Sequence, residues 1–451
     1  MSRSPSATYV AVLEPGAGPA DLPAVAQALA QPLTSSAQLG SRLRARDVYA
    51  GGGGVYFKNL GLVVVEGLTP DAARRATRGR SPVRYVEPDR VLRALDPVTT
   101  PARRPTRARD ADWRAALDAL RADLASAGAR VDLLEAALRG LPPAPDDDDD
   151  RPPGEPRTGP MTWGLRAVGV EHAGALTGAG VRVAVLDTGI DARHPDLPAH
   201  LAEGKSFLAG AAWDDDRHGH GTHCCGTVAG GRSRENGLHF GVAPGAELLV
   251  GRVLGHDGSG TTSGIVDALD WALERGARVA SLSLGAPVDI GEAPSPLYEA
   301  IGERAMAAGM LIVAASGNGS RRPREVPRPV SSPANATSVL AVGALDERLR
   351  VAYFSNAGIN AADGGRLDLA APGVDVYSLG STLAPGGAPY VKKTGTSMAT
   401  PHVAGLAALY LEAEPHLTAR ELWDALERHC RALPGELPRD VGAGLAQAPR
   451  A

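Results

Sequence analysis

The sequence predicts an α/β protein: a doubly wound, mainly parallel sheet over residues 161–449, preceded by a small α+β unit at 7–95. Three observations carry this expectation. From Trp163 onward, short apolar β-branched runs alternate with amphipathic helical runs, the pattern of a sheet covered on both faces. Before Leu95, strand-like and helix-like runs alternate on a shorter scale. Between the two parts lie stretches rich in Pro, Arg and Asp that read as solvated linker.

In the N-terminal part, ATYVAVL and LGLVVVEGL read as strands, LPAVAQALA and TPDAARRAT as helices, and VRYVEPDRVLRAL as one closing strand. Residues 96–160 form a linker containing a helix at 110–139. Its apolar positions, Trp113, Leu117, Leu120, Leu124, Ala127, Val131, Leu134 and Leu138, alternate spacings of four and three. Self-association through this heptad seam competes with packing on the chain's own domains and with a lone helix. The acidic run Asp146–Asp150 reads as solvated charge rather than a calcium site.

In the C-terminal part the strands are VRVAVLD, AELLVGRVL, RVASLSLG, MLIVAASG and VLAVGAL. TTSGIVDALDWALERG, SPLYEAIGERAMAAG and TARELWDALERHC read as helices, the last opening on a Thr418/Glu421 capping box.

Composition narrows the function. With 47 basic and 51 acidic residues the formal net charge is −4, and no global field favours nucleic acid or a membrane. The visible N-terminus shows no classical signal peptide, which leaves the location open between export by another route and the cytoplasm. Three cysteines, Cys224, Cys225 and Cys430, are too few for a disulfide framework.

Three distant segments hold what a serine nucleophile needs: Asp187 ending VRVAVLD, His220 opening HGTHCCGTVAG, and Ser397 within GTSMATPHVAG. A serine hydroxyl attacks an acyl carbon when an imidazole takes its proton and a carboxylate orients that imidazole. Each has a plainer reading as a turn residue, a metal ligand or an N-cap. A zinc site drawn from His218, His220, His223 and Cys224 lacks a second ligand cluster downstream.

Over residues 163 to about 448 the chain resembles the subtilisin-like serine peptidases, on VAVLDTGID, HGTHCCGTVAG and GTSMATPHVAG in that order. The resemblance implies Ser397 as nucleophile, His220 as general base and then acid, Asp187 as the orienting carboxylate, and Asn318 of VAASGNG as an oxyanion donor. It implies no cofactor for the chemistry. It also implies that Ser283, Leu284 and Gly285 on one side, and Gly258, Ser259 and Gly260 on the other, pair with an extended peptide or protein substrate. The main side-chain pocket, between 284–285, 314–316 and the segment near Ser331, carries no charge, which implies apolar or unselective cleavage.

By the same resemblance Cys224 is a free cysteine beside the histidine, Met398 an oxidation-sensitive neighbour of the nucleophile, and Asp196 of HPDL a candidate ligand for structural calcium. Residues 7–95 resemble the family's ferredoxin-like inhibitory propeptide, an intramolecular partner whose tail enters the cleft. The residues between it and the peptidase part place the first self-cleavage at 94–105, leaving the heptad helix on the mature enzyme. A catalytically silent peptide-binding or scaffold protein assembled through that helix is the alternative.

Overall fold

In the computed structural model, which describes residues 7–39, 45–50, 52–79, 81–95, 161–197, 200–360 and 364–450, the N-terminal part has a sheet of its own. It is built from β1 (Ala7–Leu13), α1 (Leu22–Leu29), β2 (Leu33–Ser35), α2 (Ala45–Ala50), β3 (Gly54–Phe57), β4 (Leu62–Leu68), α3 (Pro70–Ala76) and β5 (Val83–Pro88). The strand order is β2-β3-β4-β1-β5, antiparallel except between β2 and β3. Setting β2 and α2 aside, the succession is βαββαβ, the ferredoxin-like plan. The expected linker 96–160, the heptad helix 110–139 with its self-association, and the acidic run lie outside the described residues.

Strand alternation explains why β1 is apolar on both faces. Tyr9, Ala11 and Leu13 pack with Val25 and Leu29 of α1 and Ala73 and Ala76 of α3, while Val10 and Val12 point the other way into a core shared with the C-terminal part.

The chain does not continue β5 into one long closing strand as the sequence suggested. It breaks at Asp89–Arg90, and β6 (Val91–Ala94) leaves for a different sheet. Asp89 and its neighbour Glu87 are committed elsewhere. Their carboxylates cap two helices of the C-terminal part, and that turns the backbone away.

That part contains α4 (Trp163–Ala167), β7 (Arg182–Asp187), β8 (Leu201–Ser206), α5 (His220–Ala229), β9 (Glu247–Arg252), β10 (Ser259–Thr261), α6 (Thr262–Glu274), β11 (Val279–Leu282) and β12 (Leu284–Gly285). It continues with α7 (Pro296–Ala307), β13 (Leu311–Ala315), β14 (Leu340–Leu345), β15 (Leu369–Pro372), β16 (Val376–Leu379), β17 (Tyr390–Lys393), α8 (Thr396–Ala413), α9 (Ala419–Arg428) and α10 (Pro438–Val441). The central sheet has order β15-β14-β13-β11-β7-β9-β8, with every pair parallel.

Alternation again divides the core. Val183 and Val185 of β7 face α5 and α8, whereas Ala184 and Leu186 face α6 and α7. From β7 the chain moves outward through β8 and β9, then crosses back to β11 on the other side. A crevice opens at the carboxyl ends of the strands at such a reversal. Asp187 stands at the end of β7 and Ser283 directly after β11, so both lie on its rim.

Candidate active site

Three helix and strand ends converge on this crevice. His220 is the first residue of α5, whose N-cap Gly219 has φ +76°, a conformation suited to glycine. Small residues let α5 approach β7: a Cβ on Gly221 would lie 2.3 Å from the Gly189 carbonyl oxygen. Asp187 Oδ1 is 2.8 Å from His220 Nδ1 and also accepts from the Thr188 amide at 2.7 Å. Both side chains are almost wholly buried, and His220 Nε2 has no partner among the described residues. The ring is thereby fixed with Nδ1–H toward the carboxylate and Nε2 open.

Ser397 is the second residue of α8, so its amide belongs to the group of N–H donors that a helix start leaves without intrahelical partners. Its own carbonyl also lacks a helical partner, because the residue four positions on is Pro401, which has no N–H. The Ser283 hydroxyl donates to that carbonyl at 2.9 Å and the Cys224 thiol at 3.6 Å. Asn318 is oriented by its neighbour on α8: its Oδ1 accepts from the Thr396 amide and hydroxyl, both at 2.9 Å.

The cleft is filled by the chain itself. β6 lies between β10 and β12, antiparallel to both, pairing Leu92 with Gly260, Arg93 with Ser259 and Gly285, and Ala94 with Leu284. The Ala94 amide donates to the Gly258 carbonyl at 2.7 Å and the Leu95 amide to the Ser283 carbonyl at 3.3 Å. All six residues expected to line a substrate strand therefore touch or pair with residues 92–95. The Leu95 carbonyl oxygen accepts from Ser397 Oγ at 2.8 Å and from Asn318 Nδ2 at 3.1 Å. Its side chain reaches Gly285, where a Cβ would come within 3.7 Å of Leu95 Cδ1.

With Leu95 in place, Ser397 Oγ is turned toward that carbonyl and the Ser283 carbonyl rather than bonded to His220.

The remaining expected residues fall as follows. Of the four candidate zinc ligands, His223 turns away, its Nε2 at 2.9 Å from the Val376 carbonyl oxygen. Burial holds its pKa well below the usual histidine value. Cys224 Sγ sits 3.9 Å from His220 Nδ1, and burial pushes its thiol well above the usual range. Met398 is fully buried.

Asp196 does not fit a calcium ligand. Arg234 Nε lies 2.6 Å from its Oδ1, and the Arg234 amide and Tyr390 hydroxyl donate to its Oδ2. A guanidinium already supplies the positive charge there, and calcium needs six to eight oxygens.

Sequence reading missed several groups: Thr396, which holds Asn318; the Ser283 hydroxyl and Cys224 thiol on the Ser397 carbonyl; and Leu95. Pro401, four residues after Ser397, was the available signal for the second of these. No helix among the described residues is long and apolar enough to cross a membrane.

Comparison with known proteins identifies the family. The sequence profile described as "Subtilase family" matches residues 178–444. Subtilisin BL of Lederbergia lenta is 43% identical over 260 residues, covering 56% of this chain and 86% of that protein. M-protease of Shouchella clausii (strain KSM-K16) is 43% identical over 260 residues, with 60% of its length covered. An intracellular serine protease of Paenibacillus polymyxa is 40% identical over 281 residues, covering 59% of this chain and 79% of the relative.

Proposed function

The chain belongs to the subtilase family and is a serine-type endopeptidase, and on that premise we propose that Asp187, His220, Ser397 and Asn318 carry the reaction in a self-processing zymogen. Ser397 Oγ attacks the acyl carbon while His220 Nε2 takes its proton. Asp187 holds Nδ1–H and stabilises the imidazolium. The Asn318 amide and the Ser397 N–H meet the oxyanion. His220 then returns the proton to the leaving amine, and water repeats the sequence on the acyl-enzyme.

Residues 7–95 are the enzyme's own inhibitor, with β6 as a bound strand. The observation that carries this reading is the Leu95 carbonyl oxygen, which accepts from both Ser397 Oγ and Asn318 Nδ2. The bond assigned to the first cleavage is Leu95–Asp96. The amine that leaves is that of Asp96, so the mature chain keeps residues 96–160. Leu95 against Gly285, with no charged group on the pocket wall, supports an apolar preference at the residue whose carbonyl is attacked.

Intact mass and N-terminal sequencing test the reading. Wild type is expected to yield a fragment ending at Leu95 and a chain beginning at Asp96, while Ser397→Ala stays whole and fails to react with a fluorophosphonate probe. A mature N-terminus at Met161 would remove the proposed cleavage site. Failure of the folded, inhibitor-free enzyme to label would remove the catalytic assignment.

A further inference from the structure

Asn318 stands between two glycines, Gly317 and Gly319, so its own stretch of backbone does little to hold it in one place. One residue far along the chain holds both flanks. The Asn356 amide donates to the Gly317 carbonyl at 3.0 Å. Asn356 Oδ1 accepts from the Gly319 amide at 2.9 Å and from the Ser320 amide and hydroxyl at 3.1 and 3.2 Å. Asn318 is bracketed between these contacts.

The other half of the same carboxamide faces the side-chain pocket. Asn356 Nδ2 donates to the Pro329 carbonyl at 2.9 Å and to the Ser331 hydroxyl at 3.2 Å. The Ser331 amide donates to the Ser316 carbonyl at 2.8 Å, and a Cβ on Gly285 would lie 3.4 Å from Ser331 Cβ and 3.7 Å from Leu95 Cδ1. Ser331 therefore borders the space that the Leu95 side chain enters. Backbone N–H donors on one side of the carboxamide and a carbonyl acceptor on the other leave it a single orientation. Asn356 is buried, and a Cβ on Gly317 would collide with both Asn356 Nδ2 and Ser331 Oγ, so the three residues are packed without slack.

We propose that Asn356 is a positioning residue for the reaction: it fixes the backbone that aims Asn318 at the oxyanion and ties that backbone to the Ser331 wall of the pocket. The role rests on the oxyanion assignment above, because Asn356 acts through Asn318 and Ser331 rather than on the reacting atoms.

A donor stabilises developing charge best when it is already aimed, with no reordering left to the moment of reaction. Asn356→Ala takes the shared partner away from the Gly319 and Ser320 amides and from the Pro329 carbonyl. The loop must shift to satisfy these groups, and Asn318 moves with it. Thr396 still holds Asn318 Oδ1, so the donor is displaced rather than lost, and the cost is smaller than that of removing Asn318 itself. A residue with a general structural role would lower kcat by the same factor whether or not Asn318 is present. One that works through Asn318 loses its effect on kcat when Asn318 is replaced.

The test is a double-mutant cycle of Asn356→Ala and Asn318→Ala in the full-length chain. Each enzyme is matured by prolonged self-cleavage, counted by fluorophosphonate titration, and assayed on peptide p-nitroanilides ending in Leu or Ala. On the Leu substrate, Asn356→Ala alone should lower kcat about tenfold with KM changed less than about threefold, and should lower kcat less than about twofold in the Asn318→Ala background. The preference for Leu over Ala in kcat/KM should fall about threefold, because Ser331 loses its partner. An equal loss of kcat in both backgrounds, or an unchanged preference, overturns the proposal and leaves the oxyanion assignment standing. If Asn318→Ala alone leaves kcat intact, the oxyanion assignment falls and the role of Asn356 with it. Should the alanine protein not fold, Asn356→Ser, which keeps a small polar group in the site, enters the same cycle with the same expected and overturning results.

Discussion

The Ser283 hydroxyl donates to the carbonyl oxygen of Ser397 at 2.9 Å, filling the place of the N–H that Pro401 cannot provide. Ser283 thus acts twice. Its backbone carbonyl receives the Leu95 amide, and its side chain steadies the turn of helix that presents the Ser397 hydroxyl. The residue that receives the Leu95 amide also holds the helix turn that carries Ser397.

Ser283→Ala keeps the backbone carbonyl and removes the donor. With only the weak Cys224 thiol left on a buried acceptor, the loss of stability should be about 1–3 kcal/mol. Urea unfolding in the Ser397→Ala background measures this without self-digestion. In the active enzyme kcat should fall while KM changes little, since the peptide contact survives.

Asn318→Ala removes the side chain that donates to the Leu95 carbonyl oxygen, the proposed oxyanion position. In subtilisin itself, loss of such a donor costs about 10²–10³ in kcat, and the same range is expected here. Thr396 should show a smaller effect of the same kind on replacement by Val, because its hydroxyl orients the amide rather than meeting substrate.

The three thiols should resist alkylation in the folded protein. Cys224 and Cys225 are buried, with pKa values raised well above the ordinary range, and burial pushes Cys430 up to about 12. The thiolate is the reactive form, so iodoacetamide at pH 8 should leave the native protein unmodified and label all three sites after unfolding. Rapid native labelling of Cys224, read by peptide mass, would contradict its placement.

Arg234→Gln should destabilise the protein by about 1–2 kcal/mol, because Asp196 is nearly buried while Arg234 is largely exposed. Thermal unfolding reports it. Added calcium should not restore the loss, since among the described residues the other groups hydrogen-bonded to the Asp196 carboxylate are the Arg234 amide and the Tyr390 hydroxyl, both donors.

Much of the site was legible because its chemistry is local. Asp187 at a strand end, His220 among glycines and Ser397 ahead of a helical run each announce their surroundings within a few residues. The alternation of apolar runs likewise announced the parallel sheet. What escaped depends on pairs distant in sequence. Asn318 and Thr396 meet across two loops, and Asp89 reaches Ser263 across 174 positions. The break between β5 and β6 escaped for the same reason. VRYVEPDRVLRAL has the composition of one strand, and only the helix ends waiting for Glu87 and Asp89 divide it.

The slot between β10 and β12 is one strand wide, with a backbone edge on each side. A hairpin or helix cannot enter it, because every residue from Leu92 to Leu95 lies extended. A folded protein must first surrender about one strand's length of local structure. The rate at which this enzyme cuts an intact target should therefore follow the free energy of local opening in the target, as well as the residues at the cut. Loosely held loops and fraying termini would be digested long before buried segments of identical sequence.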